Sequence, residues 1–516
     1  MSRPINYTLS CLIAALQLLL LCACGHPSVP ASSTAAGRKP NIKPDYVGVT
    51  IPSNICPLNF QVDEPGTEVV ARITAPGCSY TYGEGNQVLI DADEWQQLLS
   101  AAAGQSLQVE VWMHQADRWT SFDPFTIRVA TEEIDPYISY RLIPPSYVSY
   151  EEMIIEQRSL TSFETREIYN TRQVITEEKG QCINCHSYQN YGTGHMLFHV
   201  RKDFGGTILV DGDRATKVNL KTPQTLSAGV YPAWHPTEPL IAFSTNKTAQ
   251  IFHPVDTAKI EVFDAESDLI LYDVTSNTVT PIATTDSLLE CFPTWSPDGR
   301  WLYFTSARMP YDLSEGDPEA KAQTHYRDIR YDLCRRSFDP ATRQFGPVET
   351  LYRASEYQQS VTLPRLSPDG RYVAFSMAPF GCFHVWHPTS DIYALDLSRI
   401  GTDSISVAYV KSAPFCQALH APGSDSYPSF SSNGRWLMFD SRRDDHNFTR
   451  PFIAYFGADG VCHKAFELPQ QSPAFYTLSV KSFNRPEFMT EPVSVSSAEL
   501  ARVITDLEAL PATFVQ

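Results

Sequence analysis

Two cysteines and a histidine near the middle of the chain have a spacing that could carry chemistry. The segment Cys182-Ile183-Asn184-Cys185-His186 places two thiols three positions apart, with an imidazole directly after the second. This is the attachment sequence of c-type haem, in which the thiols bond the two vinyl groups and the imidazole binds iron. A redox disulfide and half of a zinc site are the alternatives. A zinc site needs a second ligand pair at similar spacing, and the sequence has none.

The residues after this motif include candidates for the second iron ligand. Met196 and His199 follow His186 by 10 and 13 residues. At about 3.3 Å per extended residue, either stretch can pass around the edge of a porphyrin. Either side chain suits electron transfer, and methionine gives the higher reduction potential. We expect Met196 first and His199 second; His195, a ligand from elsewhere and an open iron site are the remaining alternatives.

The segment before the motif has helical spacing. Apolar residues recur every three or four positions between Ser149 and Glu178, among Glu, Gln and Arg side chains. We therefore predict that residues 136–204 are a helical linker that carries the haem motif just past a helix.

The remainder of the chain, residues 205–490, contains a repeat. Each copy has an apolar strand, a turn and a second apolar strand, and Asp298-Gly299, Asp369-Gly370 and Asn433-Gly434 supply the turns of three copies. The copies begin at Pro232, Pro293, Pro364 and Pro428. They resemble the WD40-like repeat of the TolB-type β-propeller, most closely at Trp295 to Phe304. The resemblance implies a propeller of five to six blades over residues 205–490.

The first residues have the form of an export signal. One Arg precedes a short apolar run that ends in Leu21-Cys22-Ala23-Cys24. This end resembles the lipobox of bacterial lipoproteins, which implies a signal peptide over residues 1–23 and a lipid anchor on Cys24. Ordinary secretion is the alternative. The Pro-, Ser- and Gly-rich stretch that follows predicts a flexible tether over residues 24–44.

The other regions complete a mainly all-β prediction. Residues 45–135 alternate short apolar runs with turn residues, which indicates a β-sandwich-like domain, interrupted by a short helix at Asp93 to Leu99. Residues 491–516 are expected to form a helical C-terminal tail. Because an exported protein meets an oxidising compartment, Cys56 and Cys78 could form a disulfide. The other single cysteines are expected to be buried as small apolar residues.

Charge and missing motifs exclude some functions. The formal net charge is -18, and no cluster of basic residues stands out, so a nucleic-acid partner is not expected. Searches for nucleophile-elbow, zinc-protease, P-loop and dinucleotide motifs all fail. Among the other histidines, His235 is expected to serve a structural turn, and His253, His384 and His387 are expected to be hydrogen-bonded propeller residues.

Taken together, a lipobox, an all-β spacer, one haem motif and a TolB-like propeller resemble a group of exported Gram-negative lipoproteins labelled cytochrome c or cytochrome c biogenesis proteins. The resemblance implies one covalent haem c and a lipid-anchored electron carrier on the periplasmic side of the outer membrane. Its expected partner is a redox protein or a component of the cell envelope. A propeller binding module with a structural haem and a haem enzyme are the alternatives, although no catalytic residue is identified.

Overall fold

The computed structural model describes residues 26–145, 152–176, 180–283, 285, 287–312, 314, 316–399, 410–411, 415–506 and 508–516. The chain divides into two compact units. The predicted signal peptide and Cys24 lie outside the described residues. No helix in the ranges above is long and apolar enough to cross a membrane.

The first unit, residues 26–48, 57–129 and 469–474, consists of β-sheet and one helix. Its strands are β1 (Thr34–Ala35), β2 (Ile42–Lys43), β4 (Phe60–Val62), β5 (Glu68–Ala75), β6 (Cys78–Tyr82), β7 (Gln87–Val88), β8 (Ser106–Gln115), β9 (Arg118–Ser121) and β10 (Phe125–Val129). In the larger sheet β5 lies between β6 and β8, and β8 also pairs with β9 and β10. The smaller sheet has the order β2-β4-β7.

The helix of this unit, α1 (Ala92–Ala102), confirms the short helix expected here. It begins where the Asp91 carboxylate accepts hydrogen bonds from the backbone N–H groups of Asp93 and Glu94. Such a cap satisfies N–H groups that have no partner within the helix. Its buried face carries Trp95, Leu98 and Leu99, which anchors the helix in the core of the unit.

The prediction of a flexible tether over residues 24–44 is wrong for its second half. β1 pairs in parallel with β9, and the Ala36 N–H donates to the Ser121 carbonyl over 2.8 Å. The Arg38 guanidinium pairs with the Glu64 carboxylate at 2.6 Å. The small and polar residues of this stretch are typical of a linker, but backbone pairing and one ion pair hold it within the first unit.

The second unit comprises residues 49–56, 130–468 and 475–516 and contains the propeller. Its strands are β3 (Thr50–Ile51), β11 (Tyr137–Ile143), β12 (Ile154–Ser159), β13 (Thr165–Asn170), β14 (Gln181–Gln189), β15 (Gly192–Lys202), β16 (Gly206–Asp211), β17 (Arg214–Asn219), β18 (Val230–Trp234), β19 (Leu240–Phe252), β20 (Ile260–Asp273), β21 (Thr278–Ala283), β22 (Leu288–Trp295), β23 (Trp301–Arg308), β24 (Tyr331–Asp339), β25 (Gln344–Tyr352), β26 (Ser360–Leu366), β27 (Tyr372–Ala378), β28 (Asp391–Asp396), β29 (Asp425–Phe430), β30 (Trp436–Ser441), β31 (Arg450–Tyr455), β32 (Phe466–Glu467), β33 (Ser482–Met489), β34 (Leu510–Pro511) and β35 (Thr513–Phe514).

The sheets built from β11 to β33 are the blades of a β-propeller, and the described part of the chain contains six of them. Blade 1 combines β33 with β11, β12 and β13; blade 2 is β14–β17, blade 3 is β18–β21, blade 4 is β22–β25, blade 5 is β26–β28 and blade 6 is β29–β32. In blade 1 the last propeller strand, β33, pairs antiparallel with the first, β11. This pairing closes the ring and leaves no long unpaired sheet edge between its ends.

The prediction of a helical linker over residues 136–204 is wrong where the structure describes it. Residues 154–159 and 165–170 are strands of blade 1, and the haem motif lies in β14, the inner strand of blade 2. The propeller therefore begins at Tyr137, well before residue 205. Burial along β12 alternates from Ile154 to Gln157, but an apolar Ile154 on the less buried face and a polar Gln157 on the buried face hide this alternation in the sequence.

Apolar clusters fill the spaces between successive blades. Tyr169, Ile183 and Met196 belong to the cluster between blades 1 and 2. Leu197 and Phe243 belong to the next, between blades 2 and 3. Each sheet face is thus buried by its neighbour, which holds the inner strands at fixed positions around the axis.

Helices whose bounds the structure describes in this unit include α2 (Pro318–His325), α3 (Phe475–Leu478) and α4 (Ser497–Asp506). The helical prediction for residues 491–516 is confirmed for α4. Beyond it, β34 and β35 add in parallel to the outer edges of blades 2 and 3. The structure has Cys56 and Cys78 as free thiols, and the disulfide between them stays a prediction.

Candidate functional site

The inner strands of the propeller share one irregularity. In each of them a single residue has left-handed backbone geometry, with φ between 49° and 55°, at the point where the pairing register shifts. Such geometry is uncommon for residues other than glycine, and β-bulges of this kind re-aim side chains. We call these six residues the bulge ring: Cys185, Tyr231, Phe292, Leu363, Tyr427 and Arg485.

The haem motif supplies the blade 2 member of the bulge ring. In the other five blades the ring residue is followed by proline, and in blade 2 Cys185 is followed by His186. The prolines are Pro232, Pro293, Pro364, Pro428 and Pro486. The five other ring residues and their prolines surround a narrow space of about 40 Å³. The motif therefore lies at the inner wall of the propeller. In blade 2 the ring residue is a cysteine, and a histidine follows it where the other blades have proline.

A cavity of about 1500 Å³ adjoins the bulge ring. The ring residues Cys185, Tyr231, Tyr427 and Arg485 contribute to its lining. Another part of the lining comes from a long hairpin, in which β19 and β20 pair continuously from Leu240 with Asp273 to Phe252 with Ile260. Ligand pockets usually enclose about 300–1000 Å³, so this cavity is large for one small molecule.

The two motif cysteines face this same cavity. Cys182 and Cys185 are both partly exposed and both line it, with Asn184 between them. The Cys182 Sγ lies 3.8 Å from the Sδ atom of Met153, another lining residue. The strand thus presents two accessible thiols to one enclosed volume, which is the arrangement that two thioether bonds to a single macrocycle require.

His199 also lines the cavity, whereas Met196 does not. His199 is paired with Asn184 across the β14–β15 ladder and is 4% exposed. Its Nδ1 lies 2.9 Å from the Thr207 hydroxyl, and its Nε2 has no hydrogen-bond partner within the described chain. Met196 is fully buried in the cluster between blades 1 and 2. Successive side chains of a strand point to opposite faces, and Met196 and His199 are three positions apart. The two side chains therefore point to opposite sides of β15.

His186 is buried and is not among the lining residues. It is 1% exposed, its ring contacts Tyr188 edge-on at 6.2 Å, and its Nε2 lacks a hydrogen-bond partner in the part of the chain described here. Burial lowers the pKa of His186 to about 3, and burial does the same for His199. Both imidazoles are therefore neutral at pH 7, the form that binds a metal ion.

The charge of the cavity is opposite to that of the protein. Seven lysine and arginine residues line it, and no aspartate or glutamate does so among the residues that the structure describes. The seven are Arg141, Arg201, Lys202, Lys221, Lys259, Arg442 and Arg485. With a net charge of -18 over the whole chain, the cavity is a local positive region in an acidic protein.

The inner arginines are fixed by neighbouring groups. Arg141 donates to the Asn484 Oδ1 over 2.7 Å, and its Nε is buried without a hydrogen-bond partner within the ranges described. The Arg442 guanidinium stacks 3.4 Å from the centre of the Trp386 ring. Arg485 differs from these two, because its Nε donates to the Glu487 carboxylate over 2.9 Å.

Three of the four remaining histidines with a predicted role follow the sequence-based expectations, and His253 does not. His235 is buried in a turn, where its Nδ1 accepts the Glu238 N–H over 3.0 Å, which confirms its structural role. His384 and His387 are buried and hydrogen-bonded, the latter to Glu261 at 2.8 Å. His253 lines the cavity. No group of three or more His, Cys, Asp or Glu side chains has metal-binding geometry in the described chain.

Sequence reasoning missed Met153 and the seven basic residues. The basic residues come from separate strands and loops between residues 141 and 485, so no local cluster marks them. The bulge ring had a usable signal: the series of residue-proline pairs continues to Arg485-Pro486 and places Cys185-His186 at the same point of blade 2.

These observations define the fold as a six-bladed β-propeller within the described chain. No family model matches the sequence. An uncharacterized protein of Agrobacterium fabrum is 25% identical over 181 residues, which are 34% of this chain and 59% of that protein. The chain thus matches less than two thirds of that relative.

Among solved structures, an oligogalacturonate lyase in complex with manganese has 12% identity and a TM-score of 0.36, over 65% of this chain and 73% of its own. Prolyl oligopeptidase B from Galerina marginata has 8% identity and a TM-score of 0.35, over 69% and 42%. At these scores the strand pairing of the chain itself, and not the likeness, establishes the propeller.

Proposed function

We propose that the protein is a c-type cytochrome, with one haem c attached through Cys182 and Cys185 and a lipid anchor on Cys24 at the periplasmic side of the outer membrane. The observation that carries the proposal is the position of both thiols on one wall of a single cavity. Two cysteines that formed only a redox disulfide would not need an open cavity of about 1500 Å³ beside them.

The lining suits a large, flat, mostly apolar group with two carboxylates. Aromatic residues at the cavity include Phe252, Phe383, Trp386 and Phe448, and the arginines described above could balance the carboxylates. A bound haem would supply one-electron redox chemistry. The chain itself would hold the ring by two thioethers, shield it from water and provide neutral imidazoles to the iron.

We assign His186 as the motif's iron ligand and consider His199 and Met196 for the other side. The cavity favours His199, because its Nε2 is buried, unbonded within the described chain and on the cavity wall. Met196 would need to leave an apolar cluster to reach the same space. The buried His186 side chain does not line the cavity either, so it would need to turn toward it to bind iron. No proton transfer is required for electron transfer, so no catalytic residue is assigned, and the partner is a redox protein or a component of the cell envelope.

The test is chemical. The full chain is produced in a bacterium that carries cytochrome c maturation proteins, and haem is measured by the pyridine haemochrome assay and by intact mass. We expect one covalent haem, its loss in Cys182→Ser/Cys185→Ser, and its retention in Cys78→Ser, which changes a partly exposed cysteine of the other unit. A protein of bare mass with free thiols would reject the proposal.

A second measurement separates an electron carrier from a propeller that binds a partner and keeps haem for structure. Redox titration of the holoprotein should give a reversible one-electron potential and a low-spin spectrum in both states. A haem that cannot be reduced reversibly would favour the binding module.

A further inference from the structure

The cavity beside the bulge ring has more positive charge and more volume than one haem accounts for. Seven basic residues line it, and six remain after Arg485 is paired with Glu487, whereas haem c carries two carboxylates. Its volume of about 1500 Å³ also exceeds the usual range of about 300–1000 Å³ for a single ligand. We propose that this cavity binds a second ligand, a small organic anion with two or more carboxylate or phosphate groups and an apolar body.

Two of the cations have only neutral hydrogen-bond acceptors as partners. Arg141 donates to the Ile183 carbonyl and the Asn484 amide oxygen. Arg442 donates to the carbonyls of Val385 and Asn447. These groups orient the two guanidinium groups. The buried Asp440 carboxyl interacts with both of them, and burial raises its pKa well above the usual value, which weakens it as a countercharge. A bound anion would add a countercharge within the cavity, and hydrogen bonds between charged partners are the strongest kind.

One buried hydrogen-bond donor also points to an anion. Arg141 lines the cavity, and its buried Nε has no hydrogen-bond partner among the residues described. An unpaired buried donor costs free energy, so we expect an acceptor atom of the ligand to satisfy it.

The apolar part of the ligand has a matching surface. Phe252, at the end of the long hairpin, is a cavity residue and is 52% exposed although it is a large apolar side chain. Trp386 lies under the Arg442 guanidinium at 3.4 Å. An aromatic ring next to a fixed cation recognises a flat anion through stacking and charge together.

The entrance carries the more accessible cations. Three of the lining cations are exposed: Arg201, Lys202 and Lys221. Lys259, which directly precedes β20 in the long hairpin, is partly buried. In a chain with a net charge of -18, such a local positive region attracts small anions while the rest of the surface repels them. We therefore infer selection for anions over neutral molecules of the same shape.

The experiment uses terephthalate, a flat aromatic dianion, and terephthalamide, its neutral analogue of similar size, in isothermal titration calorimetry on the full chain. Haem content is measured in the same sample. We expect terephthalate to bind, terephthalamide not to bind, and the affinity to fall as salt is raised. We also expect Lys259→Gln to weaken binding about fivefold, in line with the loss of one charge contact.

The matched control is Lys247→Gln. Lys247 lies on the same hairpin, pairs with Glu266 at 2.7 Å and does not line the cavity, so its change should leave binding unaltered. Absence of binding, equal binding of terephthalamide, or equal affinity of the two variants would overturn the inference. So would binding that disappears once haem is attached, because the cations would then serve haem alone. Since binding is compared with and without haem, failure of the cytochrome proposal leaves this test intact.

Discussion

The Sγ atoms of Cys416 and Cys462 lie 3.4 Å apart in the core between blades 5 and 6, and both residues are 2% exposed. The sequence predicted that each of these cysteines is a small buried residue without a cysteine partner. Their burial is confirmed, but the fold brings the two side chains together. Burial raises the pKa of the Cys462 thiol well above its usual value, which makes the folded pair slow to react.

We expect Cys416 and Cys462 to form a disulfide when the chain folds in an oxidising compartment. The two thiols would lose two protons and two electrons to a disulfide oxidant of that compartment. The bond should stabilise the fold by about 2–4 kcal/mol. Peptide mapping of exported protein without reductant should find the linked pair, and reductant should lower the melting temperature of the wild type but not of Cys416→Ala. Two alkylatable thiols at these positions after export would contradict this.

The buried pair of Glu261 and His387 predicts a large stability effect. Their side chains are 3% and 4% exposed, and the His387 Nε2 lies 2.8 Å from the Glu261 Oε2. Removal of one member leaves a buried charge without its partner, so His387→Ala should lower the free energy of unfolding by about 3–5 kcal/mol. Urea denaturation measures this.

The control for that pair is His325→Ala. His325 lies 3.1 Å from Asp328, but both side chains are well exposed, so the loss should stay below about 1 kcal/mol. Equal losses in the two variants would show that the buried pair contributes nothing beyond a surface contact.

Asp264 gives stability a dependence on pH. Burial raises the pKa of this carboxyl to about 6, against 3.8 ordinarily, although Asn246 and Cys382 donate to it. The folded state therefore holds the proton more tightly than the unfolded state, so the contribution of Asp264 is present below about pH 4 and lost as pH rises to 6. Neighbouring Cys291 and Tyr331 stay neutral over this range, because burial raises the pKa of both.

We expect Asp264→Asn to remove this dependence. Relative to the wild type, the variant should gain stability between pH 4 and pH 6, by up to about 3 kcal/mol. Free energies of unfolding in urea at several pH values measure the difference between the two proteins. A constant difference across that range would show that the carboxyl is ionised alike in both states.

The hairpins and the haem motif were readable because their signals are local. Asp298-Gly299 fixes a turn by its own chemistry, and Cys182 with Cys185 is a spacing that any fold would keep. The run Met153-Ile154-Ile155 misled because Ile154 is apolar although it lies on the less buried face of its strand. Closure through β33 and the positive cavity depend on residues hundreds of positions apart, and no window of sequence contains them.

His186 occupies the position that proline has in the inner strands of the other blades. A substitution there can therefore separate a role in iron binding from a role in folding. Five other blades carry proline directly after the bulge-ring residue, so the backbone there accepts it. We expect His186→Pro to keep the pairing of β14 and to lose only the packing of one buried side chain, so its melting temperature should fall less than that of Ile183→Pro while its haem spectrum changes. Ile183→Pro, two positions before the ring residue in the same strand, should destabilise the fold by removing ladder pairing with Val200. If His186→Pro kept the wild-type spectrum, His186 would not be an iron ligand.

The opposite faces of β15 separate the two candidates for the other iron ligand. His199 lines the cavity and Met196 lies in the core between blades 1 and 2. We expect His199→Ala to convert the haem from low spin to high spin, because this side chain would bind the iron, and to lose some stability, because the ring is buried beside Phe243. Met196→Ala should keep the spectrum and lose about 2–5 kcal/mol of stability through the cavity it leaves. Absorption spectra and urea denaturation of both variants measure the two effects, and a high-spin spectrum in Met196→Ala with an unaltered one in His199→Ala would reverse the assignment.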